Sequence, residues 1–347
     1  LKNNDDSTLF ARAASGEKTG RTPVWLMRQA GRSDPEYCRL REESGLPLEE
    51  LFRHPEWAAR LSLLPRRFGV DAIIFYQDIL TPLSPMGGHF VFRPGPQLET
   101  PLPWPQAVEA LEPYDVPAHM GFVGETLDRL RTELHGALPV LGFAGAPLTL
   151  AVFLIEGQSF GHTADKAIAF LREHGEAAHR LLEKLTQMTI DYLRYQAGHG
   201  VAAVQLFESA ACLLDEELYR EFALPYQRRI FAALRGEVKT IVFAREWPHL
   251  DSLAAAGADI LSLPAQISIA DARRALGPGV VLQGNLDNRL LLEQGNTDFL
   301  AQAERILLEG GGAGHIFNLS HGLLKETPFE NVVKLVQFVR EFKRNQP

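Results

Sequence analysis

Short runs of apolar and β-branched residues recur along this 347-residue chain, each followed by a turn and most by an amphipathic helix. The runs cover 23–27, 72–76, 139–145, 201–207, 239–244, 259–263, 280–284 and 315–319. They are apolar almost throughout and do not alternate, as expected of parallel strands covered on both faces. Parallel neighbours need a crossover connection, and the intervening helical stretches supply one. Examples are 177–196, with Leu181, Leu182, Leu185, Met188 and Tyr192 at helical spacing, and the shorter 248–256 and 270–276, each running up to a glycine. A terminal helix is predicted over 327–344, its Thr327-Pro328 start suiting a cap and a first helical residue. Eight strand–helix units point to an α/β fold, a (β/α)8 TIM barrel in one domain over 21–347. An open doubly wound sheet shows the same alternation, since strand count alone does not prove closure. Residues 1–20 are expected to be an N-terminal extension with freedom to move. The stretch from His89 to Leu98 reads as a hairpin inserted after the second run, with a helix near 119–134.

A hydrophobic fraction of 46% and a charged fraction of 22% supply a core for such a domain. The net charge of −8 argues against broad nucleic-acid or membrane-surface binding, so an anionic ligand must be held by a local basic cleft. Cys38 and Cys212 lack CxxC partners, and the histidines lack HExxH or HxH spacing, so no metal site is expected. Two thiols in a reducing cytosol is the preferred reading over one disulfide. No secretory leader or transmembrane run is legible, and a cytoplasmic location is expected.

Barrel enzymes place their chemistry on the loops at the C-terminal ends of the strands. That rule selects Arg28 and Arg32 after the first run, Asp78 after the second, and Ala146 to Thr149 with Phe153 after the third. It also selects Glu208 and Ser209 after the fourth, and Asn318 to His321 after the last. Two guanidinium forks in Pro23-Val-Trp-Leu-Met-Arg-Gln-Ala-Gly-Arg32 suit carboxylates, which they grip bidentately. Each residue also has a plain structural reading. Asp78 and Ser209 suit turn or helix caps, and His321 suits a hydrogen bond to loop backbone. The glycines of Gly310-Gly-Gly-Ala-Gly314 precede a strand, which favours a tight connection over a phosphate cradle. No GxSxG elbow is present.

At these residues the chain resembles the uroporphyrinogen decarboxylase family. The likeness extends from the first arginine block through Phe75-Tyr-Gln-Asp-Ile-Leu80, Gly142-Phe-Ala-Gly-Ala-Pro-Leu-Thr-Leu150 and Gln205-Leu-Phe-Glu-Ser209. It continues to Gln283-Gly-Asn-Leu-Asp287 and Phe317-Asn-Leu-Ser-His-Gly322. The resemblance implies a barrel that pairs as a homodimer with facing clefts. It implies decarboxylation of the four acetate side chains of uroporphyrinogen III to coproporphyrinogen III, with no cofactor. It implies that Arg28, Gln29, Ala30, Gly31 and Arg32 line the tetrapyrrole's carboxylates and that Asp78, the catalytic residue, faces the pyrrole NH groups. Ser209 and His321 would contact peripheral side chains, and Phe153 would hold the place of an active-site tyrosine without its hydroxyl.

The chain departs from the family pattern at Ser33-Asp34, where Tyr-Leu is usual, at Tyr76-Gln77, at Phe153, at the turn Arg245-Glu-Trp247, and at Pro264-Ala265. Asp34 is expected to place a negative charge beside the forks. Two other readings are a diverged paralogue that binds or decarboxylates another tetrapyrrole and a non-catalytic tetrapyrrole carrier. A third is a corrinoid-dependent methyltransferase of the wider superfamily, whose zinc-bound thiolate needs His-x-Cys; Ala210 stands two residues before Cys212.

Overall fold

The computed structural model describes residues 8–295 and 297–343. Nine strands occur along the described chain. They are β1 (Ile73–Ile74), β2 (Phe90–Phe92), β3 (Pro96–Leu98), β4 (Val140–Gly145), β5 (Ala203–Glu208), β6 (Lys239–Ala244), β7 (Ile260–Ser262), β8 (Val281–Gln283) and β9 (His315–Ile316). Seven form one parallel sheet in the order β1-β4-β5-β6-β7-β8-β9, while β2 and β3 make the expected antiparallel hairpin. Every residue of β4 is buried, as its unbroken apolar run requires.

The segment 23–27 occupies the gap between β9 and β1 and closes the barrel. Phe317 N–H donates to the Pro23 carbonyl at 2.8 Å, Trp25 N–H to Phe317 at 3.3 Å, and Asp71 N–H to Val24 at 2.7 Å. The sequence predicts a full strand here, yet only Val24 forms a ladder pair, with Phe317. Side chains have replaced the rest of the ladder. The Asp71 carboxylate accepts Val24 N–H at 2.9 Å, the Gln29 amide oxygen accepts Leu26 N–H at 3.0 Å, and Asn318 Oδ1 accepts Met27 N–H at 3.0 Å. Arg21 in turn holds Asp71 with two hydrogen bonds, of 2.6 and 2.5 Å. Buried backbone groups must be paired, but not necessarily by other backbone.

A polar belt crosses the barrel interior. Gln283 accepts from Trp25 Nε1 at 3.1 Å and donates to Gln205 at 2.9 Å and to Ser262 at 3.1 Å. These partners are buried, and the low-dielectric surroundings reward their mutual satisfaction. Outside, the helix Gly175–Gly198 docks on β4 through Gln196, whose amide bonds Phe143 N–H at 2.8 Å and Phe143 O at 2.9 Å. Gly142 is required for this approach, since a Cβ there would stand 2.3 Å from the Gln196 oxygen.

Part of the expected N-terminal extension is a packed element. The helix Leu9–Ala14 is capped by Thr8 and buries Phe10, and Lys18 pairs with Ala313. The glycine turn 310–314 presents carbonyls to a cation: Arg273 Nη2 donates to Gly310, Ala313 and Gly314 at 3.0, 2.6 and 3.3 Å. Its chemistry is therefore the reverse of a phosphate cradle. The terminal helix runs Phe329–Glu341, with Pro328 as its cap, one residue later than the Thr-Pro reading placed it. Among the described residues, no helix is long and apolar enough to cross a membrane.

Candidate active site

The mouth of the barrel gathers cations. Arg28 follows the closing segment with a φ of 61°, a left-handed conformation that costs a non-glycine residue about 1 kcal/mol. That turn lays its side chain across Gly322, where a Cβ would meet Arg28 Cδ at 2.5 Å and Cγ at 2.7 Å. The guanidinium reaches solvent through the cleft, yet protein surrounds it. That burial, then the charges of Arg32 and Arg245, lowers its pKa from the ordinary value. Neither Arg28 nor Arg32 has a carboxylate partner among the described residues, so both forks are available.

His321 faces the same cations. Burial, followed by Arg28 and Arg245, depresses its pKa to about 4, so the ring is neutral at physiological pH. Its Nδ1 accepts Gly322 N–H at 2.8 Å, which assigns the ring proton to Nε2 and makes that nitrogen a donor.

Asp78 fulfils the plain structural reading and keeps its place at a strand end. Its Oδ1 accepts Leu80 N–H at 2.5 Å and Thr81 N–H at 2.8 Å, and its Oδ2 accepts the Thr81 hydroxyl, closing the turn that leads into the short helix Thr81–Met86. Burial pushes its carboxyl above the ordinary Asp value, opposed first by the Thr81 hydroxyl and then by the two backbone bonds. Gln77 fixes the turn from behind. Its amide donates to the Phe52 carbonyl at 3.1 Å and accepts Asp78 N–H at 3.0 Å.

Gln29 is placed elsewhere than the resemblance suggests. It is 1% exposed, and its amide spans Leu26 N–H and the Ala72 carbonyl (3.0 Å each), so the side chain braces the turn and is not free for a ligand. Ala30 and Gly31 are half-buried members of that turn, Ala30 resting on a small cluster built around Tyr37, Phe52 and Tyr76. Ser209 is half-buried after β5 and is not the cap expected of it, since Ala210 precedes the short helix Ala211–Leu213. Phe153, on the helix Pro147–Glu156, packs against Phe160 at 4.7 Å and edge-on to Phe90 at 6.2 Å, forming an aromatic wall. Behind Ser209, the fully buried Glu208 accepts from Thr149 Oγ1 at 2.5 Å and from Gln227 at 3.2 Å.

Arg245, in the turn after β6, is the cleft residue that sequence reasoning did not select. It stands close enough to lower the pKa values of both Arg28 and His321. It also pins the strap between Gly157 and Ala164, donating to Gly161 O at 3.0 Å with His162 Nε2 at 3.1 Å. Its signal was present: a third arginine directly after a barrel strand. A cavity of about 650 Å³ is lined by Arg32, Tyr37, Arg41, Glu42 and Lys325 and includes none of Arg28, Asp78, Ser209, Arg245 and His321.

The uroporphyrinogen decarboxylase (URO-D) family pattern matches residues 5–342. The chain belongs to the uroporphyrinogen decarboxylase family. It is 41% identical over 337 residues to a protein named uroporphyrinogen decarboxylase from Syntrophotalea carbinolica, covering 95% of this chain and 96% of that one. It is 42% identical over 342 residues to one of the same name from Thermus thermophilus, covering 96% and 97%. A methyltransferase from Methanosarcina mazei shares the fold, with a TM-score of 0.80 at 22% identity over 96% of this chain and 98% of that one.

Against the uroporphyrinogen decarboxylase pattern, the Asp34 departure is electrically quiet. Asp34 is fully buried as the N-cap of the helix Pro35–Ser44, accepting Glu36 N–H at 2.9 Å, and it is ion-paired to Arg67. The expected negative charge beside the forks is thus already neutralised.

Proposed function

We propose that the chain decarboxylates the four acetate side chains of uroporphyrinogen III, giving coproporphyrinogen III without a cofactor. Family membership supports this reading, and one observation carries it at the level of chemistry. Arg28 lies within electrostatic reach of both Arg32 and Arg245, and among the described residues none of the three has a carboxylate partner in a salt bridge, a setting suited to a polycarboxylate.

In this reading the arginines hold substrate carboxylates while His321 Nε2–H donates to another. A proton added to a pyrrole ring carbon makes that ring an electron sink. The bond between the acetate methylene and its carboxylate then breaks, its electron pair entering the ring as carbon dioxide leaves. Protonation of the exocyclic methylene and loss of the ring proton complete the exchange of carboxylate for hydrogen. Asp78 serves the developing cation at the pyrrole nitrogens, held in position by Gln77 and the Thr81 turn. The substrate supplies its own sink, and arginine's high pKa suits it to binding more than to proton delivery. Phe153 and Phe160 offer an apolar wall to the macrocycle.

The homodimer with facing clefts and the cytoplasmic location belong to the same proposal, and sedimentation equilibrium tests the first. Anaerobic incubation with chemically reduced uroporphyrinogen III, followed by chromatography, tests the reaction. Stepwise products with fewer carboxylates are expected; persistence of the substrate at high protein concentration would sink the proposal and favour a carrier. Asp78→Asn keeps the oxygen that accepts the Leu80 and Thr81 N–H groups, replaces the acceptor of the Thr81 hydroxyl by an amide donor, and removes the charge. Its turnover number should fall about 10²- to 10³-fold, and near-normal turnover would refute the charge-stabilising role.

A further inference from the structure

Three ligand-type side chains meet at the rim of the cleft, each from a different segment of the mouth. His162 lies in the strap, Cys212 in the short helix Ala211–Leu213 after β5 and Glu246 in the turn after β6, and one donor atom of each lies within 4.8 Å of the others. His162 Nδ1 and Glu246 Oε2 are already 3.8 Å apart. Donor atoms around a tetrahedral ion with bonds of roughly 2.0–2.3 Å stand about 3.3–3.7 Å apart. His162 and Glu246 are exposed, so modest side-chain rotation closes the remaining distance. Glu246 also has a left-handed backbone, with a φ of 52°, and its carbonyl is tied to Gln266 Nε2 at 2.9 Å.

We propose that His162, Cys212 and Glu246 form a rim site for a borderline divalent cation of the zinc class, with a fourth position open to water or a carboxylate. One nitrogen, one sulfur and one oxygen donor suit such an ion. The charge balance is specific. Arg245 borders the site, and a thiolate with a carboxylate cancels the two charges of the ion, so the loaded site is neutral; with the thiol protonated in the empty site and one proton released, binding adds a single positive charge near that arginine, not two. The Cys212 thiol is held up by burial, helped by Glu246 and Glu208 and opposed by Arg245. Binding therefore replaces S–H by S–metal and releases one proton to solvent, so affinity rises with pH.

His162 links the site to the strap. Its Nε2 now faces the Arg245 guanidinium and its Nδ1 faces Glu246. A metal at Nδ1 moves the ring proton to Nε2, which can no longer accept from Arg245. The ion then ties the strap to the ends of two strands and releases one Arg245 donor.

Cobalt(II) added anaerobically to the metal-free full chain tests the site with no tetrapyrrole present, so the result is independent of the decarboxylase reading. The expected result is a near-ultraviolet thiolate-to-cobalt band and tetrahedral visible bands at one equivalent, both abolished by zinc. Cys212→Ser should remove the thiolate band, and both it and His162→Ala should weaken zinc binding by at least about 100-fold, measured by chelator competition. Cys38→Ser, which alters the other free thiol, should change neither. Absence of a thiolate band in the wild-type chain, or a band that vanishes with Cys38→Ser and survives Cys212→Ser, would overturn the proposal.

Discussion

Glu208 shows how much a single residue can impose on the molecule. It has no exposed surface, and burial raises its pKa to about 7 against the hydrogen bonds from Thr149 and Gln227. The folded state therefore binds this proton more tightly than the unfolded chain, in which the ordinary value of 4.5 applies. The advantage is complete below pH 4.5 and is lost as pH rises to about 7, a change of about 3 kcal/mol from this one group. Glu208→Gln should flatten that part of the stability profile in urea titrations between pH 5 and 8, and an unchanged slope would refute it. Nothing in Gln205-Leu-Phe-Glu-Ser209 distinguishes a buried carboxylic acid from a catalytic one, because the distinction lies in Thr149 and Gln227, 59 and 19 residues away. Arg28, Arg32 and His321 were legible because a barrel rule places strand ends. Arg245 obeys the same rule, but its turn reads as a departure from the family pattern and so not as part of the site.

Among elements, the helix Pro35–Ser44 makes the sharpest case. Its N-cap Asp34 is a departure from the family that looked harmful to anion binding, yet its charge is committed to Arg67 and to Glu36 N–H. Asp34→Ala should cost about 1–2 kcal/mol from the lost cap, more if Arg67 is left without a partner, and should not tighten substrate binding. Thermal unfolding and KM measured together check both halves. The strands were legible in proportion to their regularity. Lys239–Ala244 has the bounds its sequence predicts, because every residue joins the parallel ladder with β5. The run at 23–27 is equally apolar but makes one ladder pair, because Asp71, Gln29 and Asn318 capture its amides. Such substitution depends on residues distant in sequence, and hydrophobic periodicity carries no trace of it.

At the scale of the whole molecule, a chain of net charge −8 concentrates uncompensated arginines at one end of its barrel. The arginines dominate close to the cleft, and the surrounding acidity discourages nonspecific polyanions. KM for a polycarboxylate should therefore rise as salt is raised from about 0.01 to about 0.5 M, while thermal stability changes little; a KM indifferent to salt would contradict the ion-pairing role. The joint at which the barrel closes has a thermodynamic consequence. Residues 23–27 are held by side chains as well as by backbone, and Arg28 continues directly from them. A ligand that grips Arg28 therefore also favours the closed joint, and any opening of the joint must first release the ligand. Hydrogen exchange should report this coupling. Saturation at about 100 times Kd should slow the Val24, Met27 and Phe317 amides by up to about 2.7 kcal/mol of opening free energy. The capture of substrate would then lock a joint that the fold has already closed.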